Sequence, residues 1–186
     1  MYSSIVIDAI SSKFGVAPDI ANRDILAKNL TFFHQVITAS ERLLEQAAQQ
    51  ANGELAQYFR SHLEEERDHA AWLAQDLKHF DVDVATAPIM RCAIQMVGTQ
   101  YYLINHVDPC CLLGYMAVLE GFSASIEAIE ALERMHGKEG LRTLRYHVEH
   151  DPDHRVELFS MIDKIARPEI LWSAIETVTY LNDWDK

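Results

Sequence analysis

The stretch Tyr146-His147-Val148-Glu149-His150-Asp151-Pro152-Asp153-His154 puts three metal-ligating residue types on one stripe if it is helical. His147, Asp151 and His154 stand at i, i+4 and i+7. At about 100° per residue they fall within a ~60° arc of one face. Two imidazoles and a carboxylate are borderline ligands that suit iron, manganese or zinc. Leu144 before them and Leu158, Met161 and Ile165 after them continue the stripe, while His150 and Asp153 point elsewhere. Pro152 leaves two outcomes. Asp151 and Pro152 could start a new helix as N-cap and N1. Alternatively, one helix runs through with a kink, leaving the carbonyl of Val148 without its donor. The apolar period on both sides favours the kinked helix.

Two upstream segments carry the same anomaly. In the second, residues 54–79, the inward stripe reads Leu55, Phe59, His62, Glu66, His69, Leu73, Leu77, with its polar residues in the middle. Burying a Glu and two His costs several kcal/mol unless they are paired or bound to metal. Glu66-x-x-His69 is the i, i+3 spacing of di-iron helical bundles, although ExxH by itself is common and a satisfied core imidazole explains it equally well. In the third, Cys110 to Ile126 reads CCLLGYMAVLEGFSASI, and Glu120 is its only charge. A segment so apolar is buried nearly all round, and Glu is almost never buried without a partner. Glu120 is then held by a metal, paired with an Arg, or raised in pKa and hydrogen-bonded. Together Glu66, His69, Glu120, His147, Asp151 and His154 supply three imidazoles and three carboxylates. That set suits two iron or manganese ions better than a closed structural zinc site.

The rest of the chain fits an all-α protein. Its 186 residues are 49% apolar with only 7 Gly and 5 Pro, and one domain spanning 1–186, with its core over about 19–166, is expected. A net charge of −12 without a Lys/Arg run argues against nucleic acid. Three cysteines, Cys92, Cys110 and Cys111, do not make a disulfide framework. With no signal-like start and no long uncharged apolar run, a cytoplasmic protein with no membrane partner is expected. Six helices are predicted, over about 19–50, 54–79, 89–105, 109–135, 138–166 and from Pro168 to about 180. Residues 1–18 show weak patterning.

Glu66-x-x-His69, a lone Glu120 and His147-x3-Asp151-x2-His154 resemble the heme-oxygenase-like diiron oxidases and oxygenases over about residues 25–165. The resemblance implies an all-α, heme-oxygenase-like (TenA-like) bundle of about six to seven helices. It implies a labile non-heme diiron site, with iron in the Fe(II) and Fe(III) states or manganese in its place. O2 would oxidise a small organic substrate by hydroxylation, N-oxygenation, desaturation or C–C cleavage. A homodimer is also implied. By match, His69, Glu120, His147, Asp151 and His154 would be ligands, with Glu66 as the carboxylate of the second helix. His62 and Glu65 stand beside Glu66 as other placements of that carboxylate position. A first-helix ligand would be Glu41 or, less well placed, His34. Trp72, Tyr115 and Phe122 are expected as apolar walls of a substrate pocket.

Four rivals remain. A ferritin-like diiron protein would use Glu133-x-x-His136 as a second ExxH. A metal-free TenA-like hydrolase would use Cys110 or Cys111 as nucleophile. A heme protein would use His34 as axial ligand. A non-catalytic helical interaction protein would pair its mid-stripe polar groups with one another.

Overall fold

A computed structural model of the chain describes residues 1–122 and 124–184. Among these, nine α-helices and one 3₁₀ turn account for the regular structure: α1 (Tyr2–Ser11), α2 (Arg23–Gln50), α3 (Gly53–Glu66), α4 (His69–Lys78), α5 (Arg91–His106), the 3₁₀ turn (Pro109–Cys111), α6 (Leu112–Leu119), α7 (Ile126–His136), α8 (Arg142–Ile165) and α9 (Pro168–Leu181). The all-α prediction holds. The number of helices differs from the predicted six or seven for three reasons.

First, the weakly patterned N-terminus forms α1, which buries only Ser3, Val6 and Ile10. Asp163 anchors it by accepting from Ser3 N at 2.7 Å and Ser3 Oγ at 2.9 Å. Second, the expected helix over 54–79 breaks at Arg67 and Asp68. Asp68 is left-handed, with φ 72°, a region that Asp tolerates better than most residues. Third, the expected helix over 109–135 ends at Leu119 and resumes at Ile126, whose N-cap Ser125 accepts from Ala128 N. By contrast, α8 does run through Pro152. Its N-terminus is held by the fully buried Asp76, which accepts from Thr143 N at 2.7 Å and Arg142 Nε at 3.0 Å.

α2 packs against α3, α4 and α5, and α6 against α9. At that last contact Gly114 lets the helices touch backbone to backbone. A Cβ there would lie 2.0 Å from the Ile170 carbonyl oxygen and 2.7 Å from Ala174 N.

Two apolar cores result. One gathers Phe32, Val36, Leu55, Phe59, Met96, Leu113, Leu158, Met161 and Ala174. The other gathers Leu26, Leu30, Leu73, Leu77, Ile129, Leu132 and Val148. Along α3 and α4, Phe59 belongs to the first core and Leu73 to the second. Along α8, Val148 belongs to the second and Leu158 to the first. The polar residues 62–69 and 147–154 therefore fall where each strand of helix passes from one core to the other. No helix among the described residues is long and apolar enough to cross a membrane.

Candidate metal centre

Four elements aim ligand-type side chains at one place: the last turn of α3, the start of α4, the end of α6 and the middle of α8. Two triads have ligand atoms within 4.8 Å of one another, Glu66/His69/His147 and His62/Glu65/His154. Glu120 approaches from the end of α6, with Oε1 3.1 Å from His62 Nε2. His62 Nε2 also lies 4.0 Å from Glu66 Oε1, which links the triads. Asp151 Oδ1 is 3.6 Å from His147 Nδ1, too far for a hydrogen bond. All six residues of the main predicted ligand set converge.

The break at Asp68 changes how Glu66 and His69 meet. They do not share a helix face; one ends α3 and the other opens α4. The turn between them still brings Glu66 Oε2 to 3.0 Å from His69 Nδ1. That contact leaves His69 Nε2 free to face the centre. The α8 trio keeps the geometry the spacing predicts, because the helix continues through Pro152.

Several of these atoms are buried without a partner. His69 Nε2, Glu120 Oε2, His147 Nε2, Asp151 Oδ1 and His154 Nδ1 are shielded from solvent and make no hydrogen bond. Each buried polar atom left unmade costs about 1–3 kcal/mol. An isolated orphan would be unremarkable, but five imidazole and carboxylate atoms on residues that neighbour one another from three elements are not. Their chemistry, imidazole nitrogen and carboxylate oxygen, fits a pair of transition-metal ions.

The apo electrostatics point the same way. Burial pushes the His62 imidazole down, but Glu120, with Glu66 and Glu65, outweighs it and raises its pKa to about 9. Burial likewise lowers His147, and Asp151, Glu66 and Glu120 reverse the sign. Burial would raise Glu66, yet His69, His147 and His62 hold it below the ordinary carboxylate range. Protons thus stand in for cations among the carboxylates.

His62, a lesser position in the sequence reading, sits at the centre of the site, its ring 5.3 Å from that of His154. Glu65, half-exposed, lies 3.8 Å from His62 Nδ1 and 3.5 Å from His154 Nε2. Glu41 and His34 are half-buried on α2 and belong to neither triad.

Of the expected pocket walls, Trp72 lies 4.5 Å from the His69 ring and is 42% exposed. Tyr115 is fully buried and hydrogen-bonds Ser40 Oγ at 2.8 Å. Phe122 stands edge-on to Phe14 at 5.0 Å. None of the three lines the crevice of about 480 Å³ at the α2–α3 elbow, which includes Glu45, Asn52 and Arg60. The sequence reading missed Tyr146, which packs against His69 and Trp72, and Tyr58, which stacks on His62. Tyr58 stands one turn before His62, and that i, i+4 spacing was the available signal.

The ferritin-like pair is committed elsewhere. Arg145 donates to both Glu133 oxygens, at 2.6 and 2.7 Å, and His136 Nε2 lies 3.2 Å from the Ile20 carbonyl oxygen. Cys110 and Cys111 are buried in the 3₁₀ turn, Cys110 within the first apolar core.

By sequence, the chain matches no family model and no curated protein. By structure, it is similar to a solved domain from Shewanella denitrificans, described as having a heme oxygenase-like fold and unknown function. The TM-score is 0.75 at 12% identity, covering 98% of this chain and 82% of that one. The fold is heme oxygenase-like. In this heme oxygenase-like bundle His62, Glu66, His69, Glu120, His147, Asp151 and His154 neighbour one another, with Glu65 beside them.

Proposed function

We propose that this chain is a non-heme diiron oxidase or oxygenase acting with O2 on a small organic substrate. The observation that carries the reading is the pair of adjoining triads, Glu66/His69/His147 and His62/Glu65/His154, together with the buried, unpartnered atoms of His69, Glu120, His147, Asp151 and His154. Glu66, His69 and His147 would hold one ion, and His62, Glu65 and His154 the other. Glu120 and Asp151 are placed to serve either or both. When bound, two such ions supply redox chemistry toward O2, for which manganese is the alternative to iron.

The chain's own residues do the rest. Glu66 takes the Nδ1 side of His69 and fixes which nitrogen faces inward. His62 holds a proton against Glu120 Oε1 and must release it to become a ligand. Asp151 and Glu120 each keep an oxygen free of other bonds, so they can change partner without breaking one. Trp72 and Tyr146 close the His69 side with aromatic surface that excludes water.

Anaerobic loading with Fe(II), followed by gel filtration and elemental analysis, tests the reading. Up to two irons per folded chain are expected. A folded protein that retains neither iron nor manganese refutes it. Product analysis of an O2-dependent reaction with candidate substrates then identifies the chemistry.

A further inference from the structure

Tyr58 carries a buried polar atom of a different kind. Its ring stacks on His62 one turn away on α3, centroids 6.0 Å apart and planes 27° apart. Its hydroxyl is shielded from solvent and makes no hydrogen bond. Tyr115, the other tyrosine under the influence of Glu120, has its hydroxyl bonded to Ser40. The charges that bear on Tyr58 are Glu120, Glu157 and Glu65, from the end of α6, from α8 and from α3. The Tyr58 ring lies against that of His62, whose ring is 5.3 Å from that of His154, so Tyr58 borders the His62/Glu65/His154 end of the centre.

A phenylalanine would stack equally well and would spare the chain an unmade bond of about 1–3 kcal/mol. The ligand atoms around Tyr58 offer lone pairs. A neutral phenol differs from them by offering a proton, and burial with those three carboxylates keeps it protonated. Its missing partner is therefore an acceptor. A neighbouring metal ion needs no donor, but an anion bound to that ion does.

We propose that Tyr58 is the hydrogen-bond donor to a small anionic ligand held at the His62/Glu65/His154 end of the centre, positioning that ligand beside Glu120. This rests on the metal reading above.

The test uses the full chain loaded with Co(II), parent and Tyr58→Phe, titrated with azide and followed by the visible cobalt bands. Co(II) is expected to bind both proteins equally. Azide is expected to bind the variant about tenfold to a hundredfold more weakly, the range for a lost hydrogen bond to a charged partner. The metal-free variant should melt at the same temperature as the parent or higher, because the hydroxyl it loses has no partner in the apo fold.

Equal azide affinity in the two proteins overturns the proposal, as does a parent whose cobalt bands azide does not shift. So does a variant that loses Co(II) affinity, which would make Tyr58 a support for Glu120 instead. A tyrosinate charge-transfer band in ferric parent, absent from the variant, overturns the donor role by making Tyr58 a ligand. If the parent binds no Co(II), Fe(II) or Mn(II) at all, the metal reading itself fails, and that outcome is distinct from the others.

Discussion

Replacing Glu120 by Gln probes the ion pair that joins the end of α6 to α3 within the centre. In metal-free protein, Glu120 Oε1 lies 3.1 Å from His62 Nε2, and the His62 pKa stands near 9 against an ordinary 6.5. A histidine raised on folding stabilises the fold fully below the lower value and loses that contribution as pH climbs through the upper one. From those two values the His62 proton contributes up to about 3 kcal/mol at pH 6, about 2–3 at pH 7 and almost nothing at pH 9.5. Gln keeps the shape and an acceptor oxygen for a neutral imidazole but removes the charge. Glu66 and Glu65 remain, so most of the contribution is lost, not all. The expected penalty in the metal-free variant is therefore about 2 kcal/mol at pH 7, larger at pH 6 and close to zero at pH 9.5. Urea denaturation in EDTA at the three pH values, followed by circular dichroism, measures it. A penalty that stays constant with pH would refute the paired proton. In the same variant Fe(II) retention should fall sharply, and retention equal to the parent's would remove Glu120 from the ligand set.

Two further predictions follow from the site and the packing. His154→Ala should weaken Fe(II) retention by more than the ~10–100-fold typical of changes one layer further out, whereas His136→Ala loses only its contact with the Ile20 carbonyl and should cost about 1 kcal/mol of stability with metal binding intact; equilibrium dialysis and melting separate the two, and the reverse pattern moves the site to the ferritin-like geometry. Gly114→Ala, at the contact of α6 with α9, should destabilise by about 1–3 kcal/mol or more because its Cβ would overlap the α9 backbone, while the folded fraction keeps its full metal stoichiometry; an unchanged melting temperature would show that α6 and α9 can separate at no cost.

The amino-acid sequence by itself determined the all-α class and pointed to most of the candidate ligands. Helical periodicity is a local property, so a Glu or His in mid-stripe stands out without any knowledge of the partner helix. The α8 trio was legible for the same reason, since the apolar period on both sides of Pro152 already favoured one continuous helix over a new start at Asp151, and the helix does run through. Only tertiary structure decided how the pieces meet. Asp68 in the left-handed region and the break after Leu119 turn two long helices into four. The break at Asp68 makes Glu66 and His69 partners across a turn, although their spacing suggested a shared helix face. Glu120 read as a lone charge in an apolar run, yet its partner, His62, comes from a helix far away in sequence. Glu65 stood in the sequence only as another placement of the Glu66 carboxylate, and the fold sets it, half-exposed, 3.8 Å from His62 Nδ1 and 3.5 Å from His154 Nε2. Ion pairs between helices depend on distances that no one-dimensional period encodes, so sequence identifies which side chains are costly to bury, and the fold alone decides which of them share the cost.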